Sequence, residues 1–412
     1  MDGRETEHET TVNISLEKAA APRPEGMAYF DELAAGVGHR RSIEAARAAG
    51  LKVAGTYCGL VPSELLDAMG FLQVRLCTET FEEQSETTKV PAACHVVEQS
   101  LGRLLAEEGE TARLLDVIII PTTCGWKSAL DVHLEPHVQV HVLNVPQERT
   151  TAGAAEKWRR QIRRMIDVLE GISLKRLSRS ALVSSATLLL ECVGAARRLM
   201  REDHDRRALR GSDRMLVSSV FHLDLPENWL AAVTALLSEL RRGSAANGGQ
   251  HDGPGVLLLG SPVYDPAWEF PRAVEEAGGW IVADDVCSCS SVLHDPPVLD
   301  EPTVADMVDA ASDRALLCSR CPCFTPNTNR LGWIHSAVAD FGVDGVIYHV
   351  VPGCHVQQME SINVQRLLSG LRVPVLVLEV DYARGGVEET KPKLRAFVEM
   401  LRLRSRTERK AR

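Results

Sequence analysis

The chain has 412 residues, of which 45% are hydrophobic and 25% charged, with a formal net charge of -10 and 11 cysteines. That length exceeds one ordinary core, so two domains with connecting structure are expected. The acidic balance, without a basic stripe interleaved with aromatics, argues against a nucleic-acid partner, and no run approaches the ~20 apolar residues of a membrane span.

In chain order, residues 1–25 read as a flexible tail and 26–153 as an N-terminal α/β domain. Its first strand is Lys52–Tyr57. Pro62-Ser-Glu-Leu-Leu-Asp-Ala-Met69 then places proline in a first turn and Leu65, Leu66 and Met69 at helical spacing. Gly70 ends that helix and Phe71–Leu76 is the next strand. A helix over 94–108 and strands over 117–121 and 137–143 follow. Strands and helices alternating at this spacing mean a parallel sheet with crossover helices.

Residues 154–242 turn to long helical patterns, and 243–254 form a linker rich in Gly, Ser and Asn. A second α/β domain spans 255–402. Its strands are expected from Gly255 and over 279–285, 315–317, 343–351 and 373–380. Its helices are expected over 268–278, 303–312, 327–341, 358–370 and 388–402. Residues 403–412 read as a basic tail.

Five cysteines, Cys58, Cys124, Cys287, Cys318 and Cys354, follow short apolar runs where a strand would hand over to a loop. Ligands bind outside the carboxyl ends of strands in open α/β sheets, so thiols gathered there point to a metal site. The acidic start Met1-Asp-Gly-Arg-Glu lacks a secretory pattern, which implies a cytoplasmic, reducing location. Metal binding or redox chemistry then explains the cysteine surplus. The plain alternative is that free cysteine is a small buried hydrophobe, and Cys77 and Cys192 are assigned to packing on that ground.

Cys318-Ser-Arg-Cys321-Pro-Cys323 is the densest thiol group. Zinc would need a second knuckle, which Cys287-Ser-Cys289 matches poorly, whereas iron–sulfur ligation tolerates scattered cysteines. Cys94 opens a helix whose N-terminal dipole favours thiolate. Gly260-Ser-Pro-Val-Tyr-Asp265 lacks the spaced glycines of a dinucleotide fingerprint, and neither a P-loop nor a Gly-x-Ser-x-Gly elbow is present.

Cys58-Gly-Leu-Val-Pro-Ser-Glu-Leu-Leu-Asp-Ala-Met-Gly-Phe-Leu-Gln-Val-Arg75 resembles the opening motif of the 2-hydroxyacyl-CoA dehydratase and benzoyl-CoA reductase family. Pro121-Thr-Thr-Cys124, Ala283-Asp-Asp-Val-Cys287, the stretch from Val343 to Cys354, and Pro374-Val-Leu-Val-Leu-Glu-Val-Asp381 resemble its later landmarks, in family order over about residues 50–400. Two features resemble the double-cubane branch. They are Cys321-Pro-Cys323-Phe-Thr-Pro-Asn327 followed by Arg330, and Pro121-Thr-Thr-Cys124 ahead of Val142-Leu-Asn-Val-Pro146. Gly125-Trp-Lys-Ser128 departs from the Asp-Gly-Lys-Lys that the branch commonly carries.

The resemblance implies two flavodoxin- or Rossmann-like parallel-sheet α/β domains joined by the helical segment. It implies a [4Fe-4S] cluster, or an [8Fe-9S] double cubane, held by Cys58, Cys94, Cys124 and Cys354, with Cys321 and Cys323 added for the larger form. In the family's dehydratases one electron enters the thioester carbonyl of a 2-hydroxyacyl-CoA, the 3-hydrogen becomes removable, hydroxide leaves and the electron returns. In the double-cubane branch the electrons are consumed in reducing small molecules.

A separate ATP-dependent iron–sulfur activator is the implied electron donor, and a homodimer or a heterodimer with a homologous subunit the implied assembly. A non-catalytic electron-relay subunit and a zinc-stabilised α/β binding protein are the alternatives. No catalytic residue is assigned. His95, His349 and His355 stand near proposed ligands and titrate in the right range, but read first as structural. Glu64 reads as a first-turn carboxylate, and Glu360 and Arg330 as either pocket or helix-surface residues.

Overall fold

Val117-Ile-Ile-Ile-Pro121 is apolar throughout, the mark of a strand covered on both faces. In the computed structural model such runs build two four-stranded sheets in which every pairing is parallel. The structure describes residues 23–77, 94–206, 208–243, 253–263, 268–382 and 385–411. Residues 1–22 of the expected tail and 244–252 of the expected linker lie outside the described residues.

The first sheet contains β1 (Lys52–Thr56), β2 (Phe71–Arg75), β3 (Val117–Pro121) and β4 (Val140–Leu143), in the order β2-β1-β3-β4. The second contains β5 (Gly255–Gly260), β6 (Trp280–Val286), β7 (Gly345–Val350) and β8 (Val375–Glu379), in the order β6-β5-β7-β8. The two halves therefore share one architecture. In each, the strand order reverses once, between β1 and β3 and between β5 and β7.

Helices α1 (Ala28–Ala34) and α2 (Val37–Ala48) precede the first sheet, and α3 (Ser63–Ala68), α4 (His95–Arg113) and α5 (Asp131–Leu134) connect its strands. The helical segment is α6 (Ala154–Ser173), α7 (Arg179–Arg206), α8 (Gly211–Ser219) and α9 (Pro226–Gly243). The second half adds α10 (Glu269–Glu276), α11 (Val304–Leu317), α12 (Thr328–Asp340), α13 (His355–Gly370) and α14 (Gly386–Ala411).

Two expectations are corrected. Ala315-Leu-Leu317 is not a strand but the last turn of α11. Thr303 caps that helix by accepting from the Asp306 N–H, and Met307, Val308, Ala311 and Leu316 bury one face at helical spacing. Cys318 thus follows a helix. The basic segment expected as a tail continues α14 to Ala411. Arg179–Glu202 of α7 passes a length-and-composition test for a membrane span, at mean hydropathy 1.2, but Leu182, Ala186, Cys192 and Leu199 bury its face in protein, as in a core helix.

One core joins Val53 and Ile118 of the first sheet to Val256 and Ile281 of the second, with Trp229 of α9 between them. Contact there is close: a Cβ on Gly211 of α8 would meet the Ile281 carbonyl oxygen at 2.2 Å. A second core sets Met307, Val308, Ala311 and Leu316 of α11 against Ala54, Val117 and Ile119 of the first sheet and Ile162 of α6. Trp158 Nε1 donates to the Ser312 carbonyl at 3.0 Å, and Arg159 Nε donates to Asp313 Oδ1 at 2.8 Å. Although it lies in the second half of the sequence, α11 is rooted on the first half of the fold.

Candidate functional site

Ligands bind outside the carboxyl ends of parallel strands where the strand order reverses. Here the reversal points of both sheets open on one cavity of about 540 Å³. Cys58 follows β1, Cys124 follows β3, Cys287 follows β6 and Cys354 follows β7, and all four line it. Cys94, the residue before α4, and Cys321, in the loop between α11 and α12, complete a set of six thiols.

Two backbone features set this rim. Cys58 lies in the left-handed region at φ +62°, uncommon for a residue with a side chain and characteristic of functional turns. Gly260 ends β5 at φ +130°, where a Cβ would come within 1.9 Å of the His349 carbonyl oxygen. Only glycine lets β5 hand over to Ser261 and Pro262 so close to β7.

Cations face the thiols. Lys127 Nζ donates to Cys58 Sγ at 2.8 Å and to Thr123 Oγ1 at 3.4 Å, and Cys58 Sγ lies 3.0 Å from Thr123 Oγ1. Burial pushes the Cys58 thiol up while Lys127 pulls it down. Burial also acts to lower the Lys127 ammonium, but Cys58, Cys124 and Cys77 hold it well above its ordinary value. At Cys77 burial is outweighed by the Arg75 guanidinium and Lys127, and the thiol is lowered. Cys94 and Cys354 share a thiol hydrogen bond that pulls Cys354 down and drives Cys94 up. Cys321 and Cys323 do the same, with Cys321 lowered.

Asp285, near the end of β6, pairs with two buried guanidiniums at once. Its Oδ1 is 3.2 Å from Arg320 Nε and its Oδ2 is 3.1 Å from Arg330 Nε. Arg330 also donates to Gln357 Oε1 at 3.3 Å, and that oxygen accepts from the Tyr348 hydroxyl at 2.5 Å. Asn327 Nδ2 reaches the Cys321 carbonyl at 3.1 Å and Glu360 Oε1 at 3.0 Å, tying the Cys321 loop to α13. With Glu360 also acting on Arg330, the two guanidiniums are balanced by two carboxylates, so the cations left to face the thiols are Lys127 and Arg75. Buried charge is stable only when compensated, so this wall suits thiolates and an anionic group they hold.

Of the residues expected as ligands, Cys58, Cys94, Cys124, Cys354 and Cys321 share the cavity. Cys323 does not line it; it packs behind with Phe324 in the second core. Cys287, one of the five strand-end thiols but outside the ligand set that the resemblance implies, stands on the wall. Cys192 lies in the core of α7, its Sγ 3.7 Å from the Pro226 carbonyl. His95 Nδ1 lies 3.3 Å from Asp381 Oδ1, and buried His349 meets the Tyr382 hydroxyl at 3.0 Å, with burial pushing its pKa down to about 3.

His355 and Arg330 line the cavity, and Glu360 is buried behind it. Glu64 is not a simple first-turn carboxylate: its oxygens take Arg314 NH2 of α11 at 2.6 and 2.7 Å in a buried pair. Arg75 and Asp285 lie inside stretches that carry the family resemblance and Arg320 inside the densest thiol group, but no sequence argument singled out their side chains. Nor did it single out Lys127, although that lysine is the one position Gly125-Trp-Lys-Ser128 shares with Asp-Gly-Lys-Lys.

Among the described residues, no three His, Cys, Asp or Glu side chains converge closely enough to hold a single metal ion. A polynuclear cluster instead puts each thiolate on its own iron, across the cluster's width. Thiols spaced around a cavity, backed by buried cations, fit that demand.

The family model described as 2-hydroxyglutaryl-CoA dehydratase, D-component, matches residues 58–401. The "Putative dehydratase subunit YjiM" of Escherichia coli (strain K12) is 26% identical over 362 residues, covering 85% of this chain and 92% of the relative. The (R)-2-hydroxyglutaryl-CoA dehydratase subunit beta of Acidaminococcus fermentans is 24% identical over 364 residues, covering 86% and 94%. The matched span starts at Cys58 and contains every cysteine of the cavity wall, and the chain belongs to the 2-hydroxyglutaryl-CoA dehydratase D-component family.

Proposed function

We propose that the chain is the iron–sulfur subunit of a cytoplasmic, lyase-type enzyme that dehydrates a 2-hydroxyacyl-CoA. The observation that carries this reading is the set of six thiols lining one cavity, drawn from both halves of the fold and backed by Lys127 and Arg75. Cys58, Cys94, Cys124 and Cys354 would hold the cluster, with Cys321 and Cys287 beside them. When bound, such a cluster supplies single electrons at low potential.

The chain's own residues do the rest. Lys127 and Arg75 stabilise the thiolate form, and Asp285 fixes Arg320 and Arg330 at the wall. Leu60, Val96 and Val97 give the cavity a dry, apolar side. The relative from Acidaminococcus fermentans is named for a 2-hydroxyacyl-CoA substrate and as a subunit beta, which supports a thioester substrate and a partner subunit, either homologous or a second copy. The missing nucleotide fingerprint agrees with electrons delivered by an ATP-dependent activator.

A double-cubane reading, in which the electrons are consumed in reducing a small molecule, is favoured by one count: six thiols exceed the four that one cubane needs. Anaerobic iron and sulfide quantification with an electron paramagnetic resonance spectrum tests both. About four irons per chain support the dehydratase form and about eight the double cubane. Iron with no turnover of either substrate class marks an electron-relay subunit, and an iron-free chain with intact cluster assembly ends the reading.

A further inference from the structure

Five lysines and arginines line the cavity, and each is already engaged. Arg314 NH2 donates to both Glu64 oxygens, at 2.6 and 2.7 Å. Arg320 and Arg330 form ion pairs with Asp285 at 3.2 and 3.1 Å, and Glu360 acts on Arg330 from behind. Arg320 also lies over the Trp333 ring, 4.4 Å from its centroid. Lys127 Nζ holds Cys58 Sγ at 2.8 Å, and Arg75 bonds the Cys77 thiol beside Cys287 and Cys58. Among the described residues, no lysine or arginine of this lining is left for a further anion.

The backbone donors are taken in the same way. Helices α4 and α13 both begin at the cavity, and helix N-termini are natural anion sites. Here, however, the Val96 and Val97 N–H groups bond the Cys94 thiol, and the Gln357 N–H bonds that of Cys354. Two carboxylates, Asp285 and Asp295, line the cavity as well. The rest of the lining is apolar. Leu60, Val96 and Val97 are buried on it, and Trp126, Val292 and Val356 are half-buried. At about 540 Å³ the space lies within the roughly 300–1,000 Å³ of small-molecule sites.

We infer that the acyl group taken by this cavity ends in an apolar side chain, branched aliphatic or aromatic, and carries no second carboxylate. The inference rests on the dehydratase-type reading above and narrows its substrate class. A buried carboxylate needs a cation or converging N–H groups, and here those already serve Glu64, Asp285, Glu360 and the thiols. A cluster held by thiolates adds further negative charge to the same space. An alkyl or aryl end instead covers Leu60, Val96, Val97 and the Trp126 indole and removes their surface from water. The relative from Acidaminococcus fermentans is named for the 2-hydroxyglutaryl ester, which does carry a second carboxylate, so the inference sets this chain apart from it.

The test compares two thioesters of equal length, (R)-2-hydroxyglutaryl-CoA and (R)-2-hydroxy-5-methylhexanoyl-CoA, in which an isopropyl group replaces the carboxylate. Titration calorimetry on the anaerobically purified, iron-loaded full chain should show the methylhexanoyl ester bound about 10- to 100-fold more tightly. Equal affinity, or tighter binding of the glutaryl ester, overturns the inference. Trp126→Arg adds an unengaged guanidinium to the lining and should bring the two affinities to within about threefold at unchanged iron content. An unchanged ratio in that variant overturns the role given to the lining. Turnover with Ti(III) citrate separates this inference from the reading beneath it. Esters bound with the expected preference but never dehydrated sink the dehydratase reading and leave the preference standing. A glutaryl ester preferred and dehydrated does the reverse, and a chain that binds neither ester overturns both.

Discussion

Lys127 Nζ stands 2.8 Å from Cys58 Sγ, and the two residues come from the loops that follow the paired strands β3 and β1. The contact sets an ammonium against a thiol that burial alone would keep neutral. Lys127→Met should therefore weaken iron retention by about 10- to 100-fold, the usual cost of losing a partner that orients a metal ligand. Iron per chain after mild chelator challenge, parent against variant, checks it. Equal retention would mean the lysine serves some other purpose.

The cavity wall separates the cysteines into two groups. Cys287→Ser and Cys321→Ser each remove a wall thiol and should lower bound iron or change the resonance spectrum. Cys318→Ser and Cys192→Ser lie off the wall and should leave both as in the parent. Cys323→Ser is the sharpest case, because the resemblance gives it to the larger cluster while the structure buries it behind Cys321. Full iron in this variant is the expected result.

His222 is buried against Ser63 Oγ at 3.0 Å, and burial, followed by Arg75, pushes its pKa from 6.5 to about 3. Above pH 6.5 the ring is neutral in both folded and unfolded chains, so whatever it contributes there does not change with pH. Between 6.5 and about 3 only the unfolded chain takes the proton, so its contribution to stability falls as pH falls. The stability gap between the parent and His222→Gln should shrink by about 1.4 kcal/mol on going from about pH 7.5 to about pH 5.5. Urea unfolding at the two pH values measures it; a constant gap would mean that His222 is charged in the fold.

Glu64 and Arg314 pair across α3 and α11, with Glu64 almost fully buried. Removing one partner leaves the other charge without compensation. Arg314→Met should cost about 3–5 kcal/mol, and adding Glu64→Gln should recover much of it. Denaturant unfolding of the single and double variants reads both steps; a double variant no better than the single one would contradict the pairing.

The alternation of strands and helices was legible because runs such as Val117–Pro121 and Gly255–Gly260 are apolar throughout and are bounded by helical spacing. Ala315-Leu-Leu317 misled because three apolar residues fit a buried strand and the buried turn of a helix equally well, and only the cap at Thr303 decides. Cys58, Cys124 and Cys354 were visible as thiols after strands. Cys287 lines the cavity and Cys323 packs behind it, a distinction that position in the chain does not announce because it does not say which face of a loop meets the cavity. Arg75 was hidden inside a strand that reads as ordinary core, and Asp285 with Arg320 and Arg330 is a pairing across long sequence separations that no local pattern announces. Glu64 likewise looked like a helix-dipole residue until its partner, 250 residues away, was in place.

The wall of the cavity is assembled from residues between Cys58 and Gln357. One of its thiols, Cys321, sits just past a helix rooted on the other half of the fold. No fragment ending before that point has the full lining, so a chain still emerging from the ribosome is as empty-handed as a truncated one. The complete set of wall thiols therefore exists only when nearly the whole chain has been made and α11 lies against the first sheet.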